Sequence, residues 1–214
     1  MDKLTEKQRQ KRRQILDAAM HCFIEKGFHS TSTAEICKAA GMSPGNLFHY
    51  YPTKYAIIEA IAELDSDEHK SILAMGDEPG NAIDIIEKIV SALITLYNEP
   101  GYARISLEII TEASRNPELN TAFVVNEQKL HSKIRDVLHR GITAGEIDSQ
   151  LNPQQTASWL MVIAEGAMGR DLMEPAFNWK TSLAGLHVLI RKALIPNVIR
   201  DAGRRQAPTA GEHR

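Results

Sequence analysis

Between residues 27 and 52 the chain reads GFHSTSTAEICKAAGMSPGNLFHYYP, and its punctuation constrains the fold more than any overall total. Ser32-Thr-Ala-Glu35 has the form of a capping box, in which Ser and Glu side chains satisfy N–H groups at a helix start. Ile36, Cys37 and Ala40 make one short apolar stripe, and Gly41 ends it. Ser43 can cap a second helix with Pro44 in its first turn, where a missing N–H costs nothing. Pro52 stops that helix. Upstream, Thr5-Glu-Lys-Gln8 opens another capping box, followed by the apolar face Ile15, Ala19, Cys22 and Phe23 and then Gly27. Three short helices, the second and third joined by a glycine-led turn, are helix-turn-helix organisation.

The rest of the chain repeats helix signals and carries no strand signal, so the expected fold is all-α. Thr53 can cap a helix running to about Met75, and Gly76 to Gly80 is a loop. Residues 81–97 are apolar on more than one face, which predicts a central helix packed on several sides. Residues 102–115 follow. Asn116-Pro117 and Asn152-Pro153 each give a cap plus a first-turn proline, starting helices to about 143 and 171. A last helix is expected over about 180–200, and the polar tail beyond it as disordered. This divides the chain into a head (1–55), a larger helical-bundle body (56–200) and a tail (201–214).

On a helix starting at Pro44, Leu47 and Tyr51 share an inward face, while Asn46, His49 and Tyr50 share an outward one. Asn and His can address base edges, Tyr can reach a phosphate or a thymine methyl, and a helix start can bind phosphate. Gly45 allows close approach at the first turn. Thr33 and Lys54 begin the neighbouring helices, where each can hold a phosphate, and Lys11, Arg12 and Arg13 add charge nearby. The alternative for such a cluster is an aromatic core under a solvated polar face. Charge is uneven in the same direction. Residues 1–55 hold nine Lys or Arg against five Asp or Glu, and the remainder sixteen against twenty-two, although the net charge is only −2. A basic head on an acidic body is the footprint of a local polyanion-binding module.

No apolar run approaches the ~18 residues needed to span a bilayer. The basic N-terminus leads into no signal core, and two separated cysteines suggest no disulfide framework, so a cytoplasmic location is expected. Cys22 and Cys37 read as small buried hydrophobes. His131 and His139 lie eight apart on one helix without a second ligand pair, so neither a zinc site nor a cofactor is expected. No nucleophile elbow, phosphate loop or paired metal-ligand motif points to an enzyme.

Residues 10–58, including ILDAAMHCFIEKGFHSTSTAEICKAAGMSPGNLFHYYPTKYAII, resemble the TetR family of bacterial transcriptional regulators. The match runs through the Gly-aromatic turn, the pattern T-x-x-x-I-[small]-x-x-[small]-G-[apolar]-S, and the run of aromatics ending in Lys. It covers about the first quarter of the chain. The resemblance implies contacts to a double-stranded DNA operator from Thr33, Ser43, Pro44, Gly45, Asn46, Phe48, His49, Tyr50 and Lys54. Two departures stand out: Phe48 where the family usually has Tyr, which removes a hydroxyl from the phosphate-facing side, and Tyr51 where Phe is usual. Pro44 sits where a base-reading side chain is common and cannot donate.

The resemblance further implies a homodimeric repressor, paired through the last two helices, that reads a palindromic operator and is released by a small effector bound among the central helices. Leu160, Ala164, Gly166, Ala167 and Met168, with Leu183, Leu186, Ile190 and Leu194, are the candidates for the dimer surface, internal core being the other reading of the same stripes. Leu93, Tyr97, Ile105, Ile109, Phe123 and Trp159 are the candidate pocket residues, and they favour a hydrophobic or amphipathic effector. Glu108 and Glu112 could form a cation site. With Arg104 and Arg115 their spacing fits an exposed ion-pair ladder better. A same-fold protein whose output is a protein contact, with no small ligand, is the alternative function.

Overall fold

The computed structural model describes residues 5–99 and 101–196, and all of their regular structure is helical. The helices are α1 Glu6–Lys26, α2 Thr33–Ala39, α3 Pro44–Tyr50, α4 Lys54–Met75, α5 Ala82–Tyr97, α6 Tyr102–Ala113, α7 Pro117–Thr143, α8 Pro153–Gly166, α9 Arg170–Met173 and α10 Trp179–Leu194. The local signals act where the sequence places them. Thr5 with Gln8 and Ser32 with Glu35 form reciprocal capping boxes, and Ser43, Thr53, Asn81 and Asn152 each accept an N–H from the first turn they precede. Each such cap contributes on the order of 1 kcal/mol.

Two boundaries differ from expectation. The helix from Pro153 ends at Gly166 rather than near residue 171, because Gly169 adopts φ 66°, outside the helical region, before the short α9. The last helix ends at Leu194, where Ile195 takes an extended ψ of 136° ahead of Pro196. Residues 197–200 and the tail expected as disordered lie outside the described residues.

Two apolar cores organise the helices. One gathers Ile15, Ala19, Phe23, Ile36, Leu47 and Tyr51 from α1–α3, Ile57, Ile58 and Ile61 from α4, and Ile105, Ile109 and Ala113 from α6. The second is built around α5, whose Ile86, Ile89, Val90 and Leu93 are buried against α7, α8 and α10. α4 serves both, since Ile72 in its last turns packs in the second core. α7 approaches the start of α5 closely at Gly141, where an added Cβ would lie 2.6 Å from the Ala82 Cβ and the Ile147 Cδ1.

Leu160, Ala164, Ala167, Ile190 and Leu194, candidates for a dimer surface, turn into this second core. α8 and α10 expose other apolar side chains: Trp159, Val162 and Ile163 on α8, and Val188 and Leu189 on α10. The same 3.6-residue repeat generates both faces, and only packing shows which one the fold has used.

Candidate functional site

α3 is held from beneath by two side chains. Leu47 is fully buried and Tyr51, its C-cap, is 2% exposed. With those anchors set, Asn46, Phe48 and His49 are exposed and Tyr50 is half-buried. The His49 and Tyr50 rings meet edge to face at 5.2 Å, so each restricts the other's rotamers. Ser43 Oγ accepts the Asn46 N–H at 3.4 Å, and Gly45 has open space where a Cβ would be. Gly41, at φ 62°, makes the turn that sets α2 against α3. Thr33 is the first residue of α2. The helix thus presents a short polar and aromatic edge outward from a rigid seat.

Lys54 behaves differently from expectation. Its Nζ donates to the carbonyls of Phe28 (2.6 Å), Thr31 (2.9 Å) and His29 (3.5 Å), and lies 4.3 Å from the centroid of the Phe28 ring. Burial lowers its pKa, partly offset by the charge of Glu112. Three donors meet three carbonyls, so the ammonium ties the α1–α2 turn to the start of α4 instead of pointing outward for a phosphate.

Between α1, α4, α5, α6, α7 and α8 lies a cavity of about 730 Å³. Met20 and Ile24 of α1, Ile61 and Leu64 of α4, Leu96 of α5, and Ile105 and Ile109 of α6 form its apolar wall. Its polar lining includes His69, Tyr97, Tyr102, Glu127 and Glu165. The Tyr97 and Tyr102 rings stack at 5.6 Å, and His69 meets Tyr97 edge-on at 6.2 Å. Burial raises the Glu165 pKa, while a hydrogen bond from Glu127 pulls it back.

Of the pocket residues expected from sequence, Tyr97, Ile105 and Ile109 line this cavity. Leu93 does not, because it faces the α5-centred core and is fully buried there. Trp159 is 68% exposed on the outer side of α8. The Phe123 side chain lies outside the described residues. Sequence reasoning missed the contributions of α1 (Met20, Ile24) and the polar wall of His69, Glu127 and Glu165. Met20 and Ile24 share a face of α1, but their spacing does not say which element that face meets, and His69, Glu127 and Glu165 each stand on a different helix.

Glu108 and Glu112 correct both earlier readings. Neither lines the cavity, and they are not rungs of a solvated ladder, since Glu112 is 1% exposed and Glu108 is half-buried. Glu108 Oε2 accepts the Phe28 N–H at 2.8 Å. Glu112 sits 2.8 Å from His29 Nε2, accepts from the Tyr55 hydroxyl at 3.3 Å, and keeps Arg115 at 3.6 Å. The i,i+4 spacing that suits solvent also suits a helix laid on a second element, and here that element is the head. One side of α6 therefore lines the cavity while another grips the α1–α2 turn and the start of α4.

Among the described residues no group of three His, Cys, Asp or Glu is placed to hold a metal ion, and no helix is long and apolar enough to cross a membrane. The pattern described as bacterial regulatory proteins of the tetR family matches residues 15–61, and that of the C-terminal part of the BetI-type transcriptional repressor matches residues 83–190. The chain belongs to the TetR family. This TetR-family protein is similar to the HTH-type transcriptional regulator UidR of Escherichia coli K12, at 28% identity over 191 residues, covering 89% of this chain and 96% of that relative. Among solved structures it is similar to Salmonella enterica GusR, with 29% identity, a TM-score of 0.71, and coverage of 90% of this chain and 99% of that one. The FadR regulator from Bacillus subtilis, solved in complex with stearoyl-CoA, shares the fold at 20% identity and a TM-score of 0.72, covering 85% and 98%. The TetR-family protein is accordingly a DNA-binding transcriptional regulator and not an enzyme.

Proposed function

We propose that this regulator is a homodimeric repressor that reads a palindromic operator with α3 and is released by a small amphipathic effector held in the cavity. The observation that carries the reading is the outward edge of α3, where Asn46, His49 and Tyr50 are presented by a helix anchored through Leu47 and Tyr51. Large hydrogen-bonding side chains on one exposed face suit base edges in a major groove. Ser43, Pro44, Gly45, Phe48 and Thr33 frame that edge as candidate backbone contacts. The exposed Trp159, Val162, Ile163, Val188 and Leu189 are the proposed dimer surface, which would set two copies of α3 one duplex turn apart, about 34–36 Å, or a multiple of it.

The cavity supports the effector half of the reading. It is largely apolar, with His69, Glu127 and Glu165 in its polar lining. A related fold binds stearoyl-CoA, itself an amphipathic molecule. Coupling would run through α4, whose 22 residues extend ~33 Å and belong to both cores. It would also run through α6, whose Ile105 and Ile109 touch the cavity while Glu108 and Glu112 hold the head. Effector release is then a shift between DNA-competent and incompetent placements of the head.

The test is selection of bound duplexes from a random pool, followed by anisotropy titrations at two salt concentrations with wild type and His49→Ala. Wild type should enrich a palindrome. His49→Ala should lose about 1–3 kcal/mol of discrimination at one base pair of each half-site, roughly 5- to 150-fold. Enrichment of no sequence, or equal discrimination by the variant, would remove α3 as the reader.

A further inference from the structure

The three arginines on the first two turns of α1 differ in what holds them. Arg9 lies 2.7 Å from Glu6, and Arg13 lies 2.8 Å from Asp17, so each has an acidic partner on its own helix. Arg12 has no carboxylate within ion-pair distance among the described residues. Its guanidinium carbon instead sits 4.8 Å from the centroid of the Tyr51 ring. That ring is the C-cap of α3, next in sequence to Tyr50, and is buried and therefore fixed. Two residues beyond Arg12, Gln14 Nε2 donates to the Ala40 carbonyl at 2.7 Å, in the turn between α2 and α3. One short stretch of α1 thus touches the turn before the reading helix and the cap after it.

We propose that Arg12, laid over Tyr51, is a preformed contact for the DNA backbone beside α3, with Tyr51 as its positioning residue. This rests on the reading of α3 as the DNA-facing helix. A guanidinium held against the ring still has N–H groups to meet phosphate oxygens. The ring also fixes a long side chain in advance, so less rotamer freedom is lost when DNA arrives. Both departures from the family pattern fit. Phe48 lacks the hydroxyl that would offer a phosphate contact from α3. The hydroxyl at position 51 places a polar atom near Arg12, whose charge opposes the upward pull of burial on the phenol's pKa. Glu63, on the same concavity, makes no ion pair with any of the three arginines among the described residues.

The experiment measures anisotropy of the full-length protein on a labelled mixed-sequence duplex across a series of KCl concentrations. No operator is needed, because the slope of log affinity against log salt counts phosphate contacts at about 0.9 each. Arg12→Ala should make the slope shallower by about 0.9 per head engaged, with an unchanged melting temperature. Arg9→Ala and Arg13→Ala, which alter net charge equally but remove ion-paired arginines, should keep the wild-type slope. Arg12→Lys, with charge but no flat face, should recover only part of the affinity. Tyr51→Leu, checked for folding by its melt, keeps the charge without the ring and should fall between wild type and Arg12→Ala. An unchanged slope in Arg12→Ala, or an equal loss in the Arg9 and Arg13 variants, overturns the proposal. If wild type shows no salt-dependent binding, the DNA-facing reading of α3 falls, and this inference falls with it.

Discussion

Glu165 and Glu35 show how two carboxyls in one chain can respond to pH with opposite sign. Lys26, the Ser32 N–H and the Ser32 hydroxyl hold Glu35 at about 2, so its contribution is present above the ordinary carboxylate range and fades as pH falls toward that value. Burial raises the Glu165 pKa in the cavity wall. A raised value means tighter proton binding in the folded state, so its contribution is present at low pH and is lost as pH rises through the folded value. Glu165→Gln keeps the hydrogen-bonding shape without ionising. Calorimetry should therefore find its melting temperature close to wild type at pH 4 and above wild type at pH 8. A variant less stable at both would mean that something in the cavity wall favours the carboxylate.

At the scale of elements, α6 is the helix whose role changed most between sequence and structure. Glu112→Ala would leave the Tyr55 hydroxyl without its acceptor and remove the carboxylate beside His29. The cost should be about 1–3 kcal/mol, with the low end favoured because Tyr55 is 40% exposed and water can reach it. Thermal melts should show a fall of about 2–4 °C per kcal/mol for a chain of this size. A melt indistinguishable from wild type would remove the contact from any coupling scheme. The helix starts were legible in the sequence because caps act locally: Ser32 with Glu35 and Ser43 with Pro44 need no knowledge of the rest of the fold. The inward pair Leu47 and Tyr51 was legible for the same reason, since i,i+4 spacing fixes a shared face. The neighbour that a face meets is set by tertiary packing. Periodicity therefore could not tell Glu112 at the head from a solvated ladder, or separate Leu93 in the core from a cavity wall. Nor could it assign the exposed Trp159 to the correct side of α8.

For the whole molecule the decisive question is how many heads act together. Val162→Arg and Leu189→Arg put a charge on exposed apolar positions of α8 and α10 without entering the core. Light scattering behind a sizing column should show wild type at twice the chain mass of 23.8 kDa and the double variant near one chain mass. The double variant's operator affinity should fall at least tenfold as one half-site is lost. A double variant that remains paired would move the interface to another surface. The shared position of α6, between cavity and head, also has a thermodynamic corollary. Any factor by which an effector weakens DNA binding must equal the factor by which DNA weakens effector binding. Copies seated on a promoter would then respond only at higher effector concentrations than copies in solution, and adding decoy operators would shift the induction threshold without changing a single contact in the cavity.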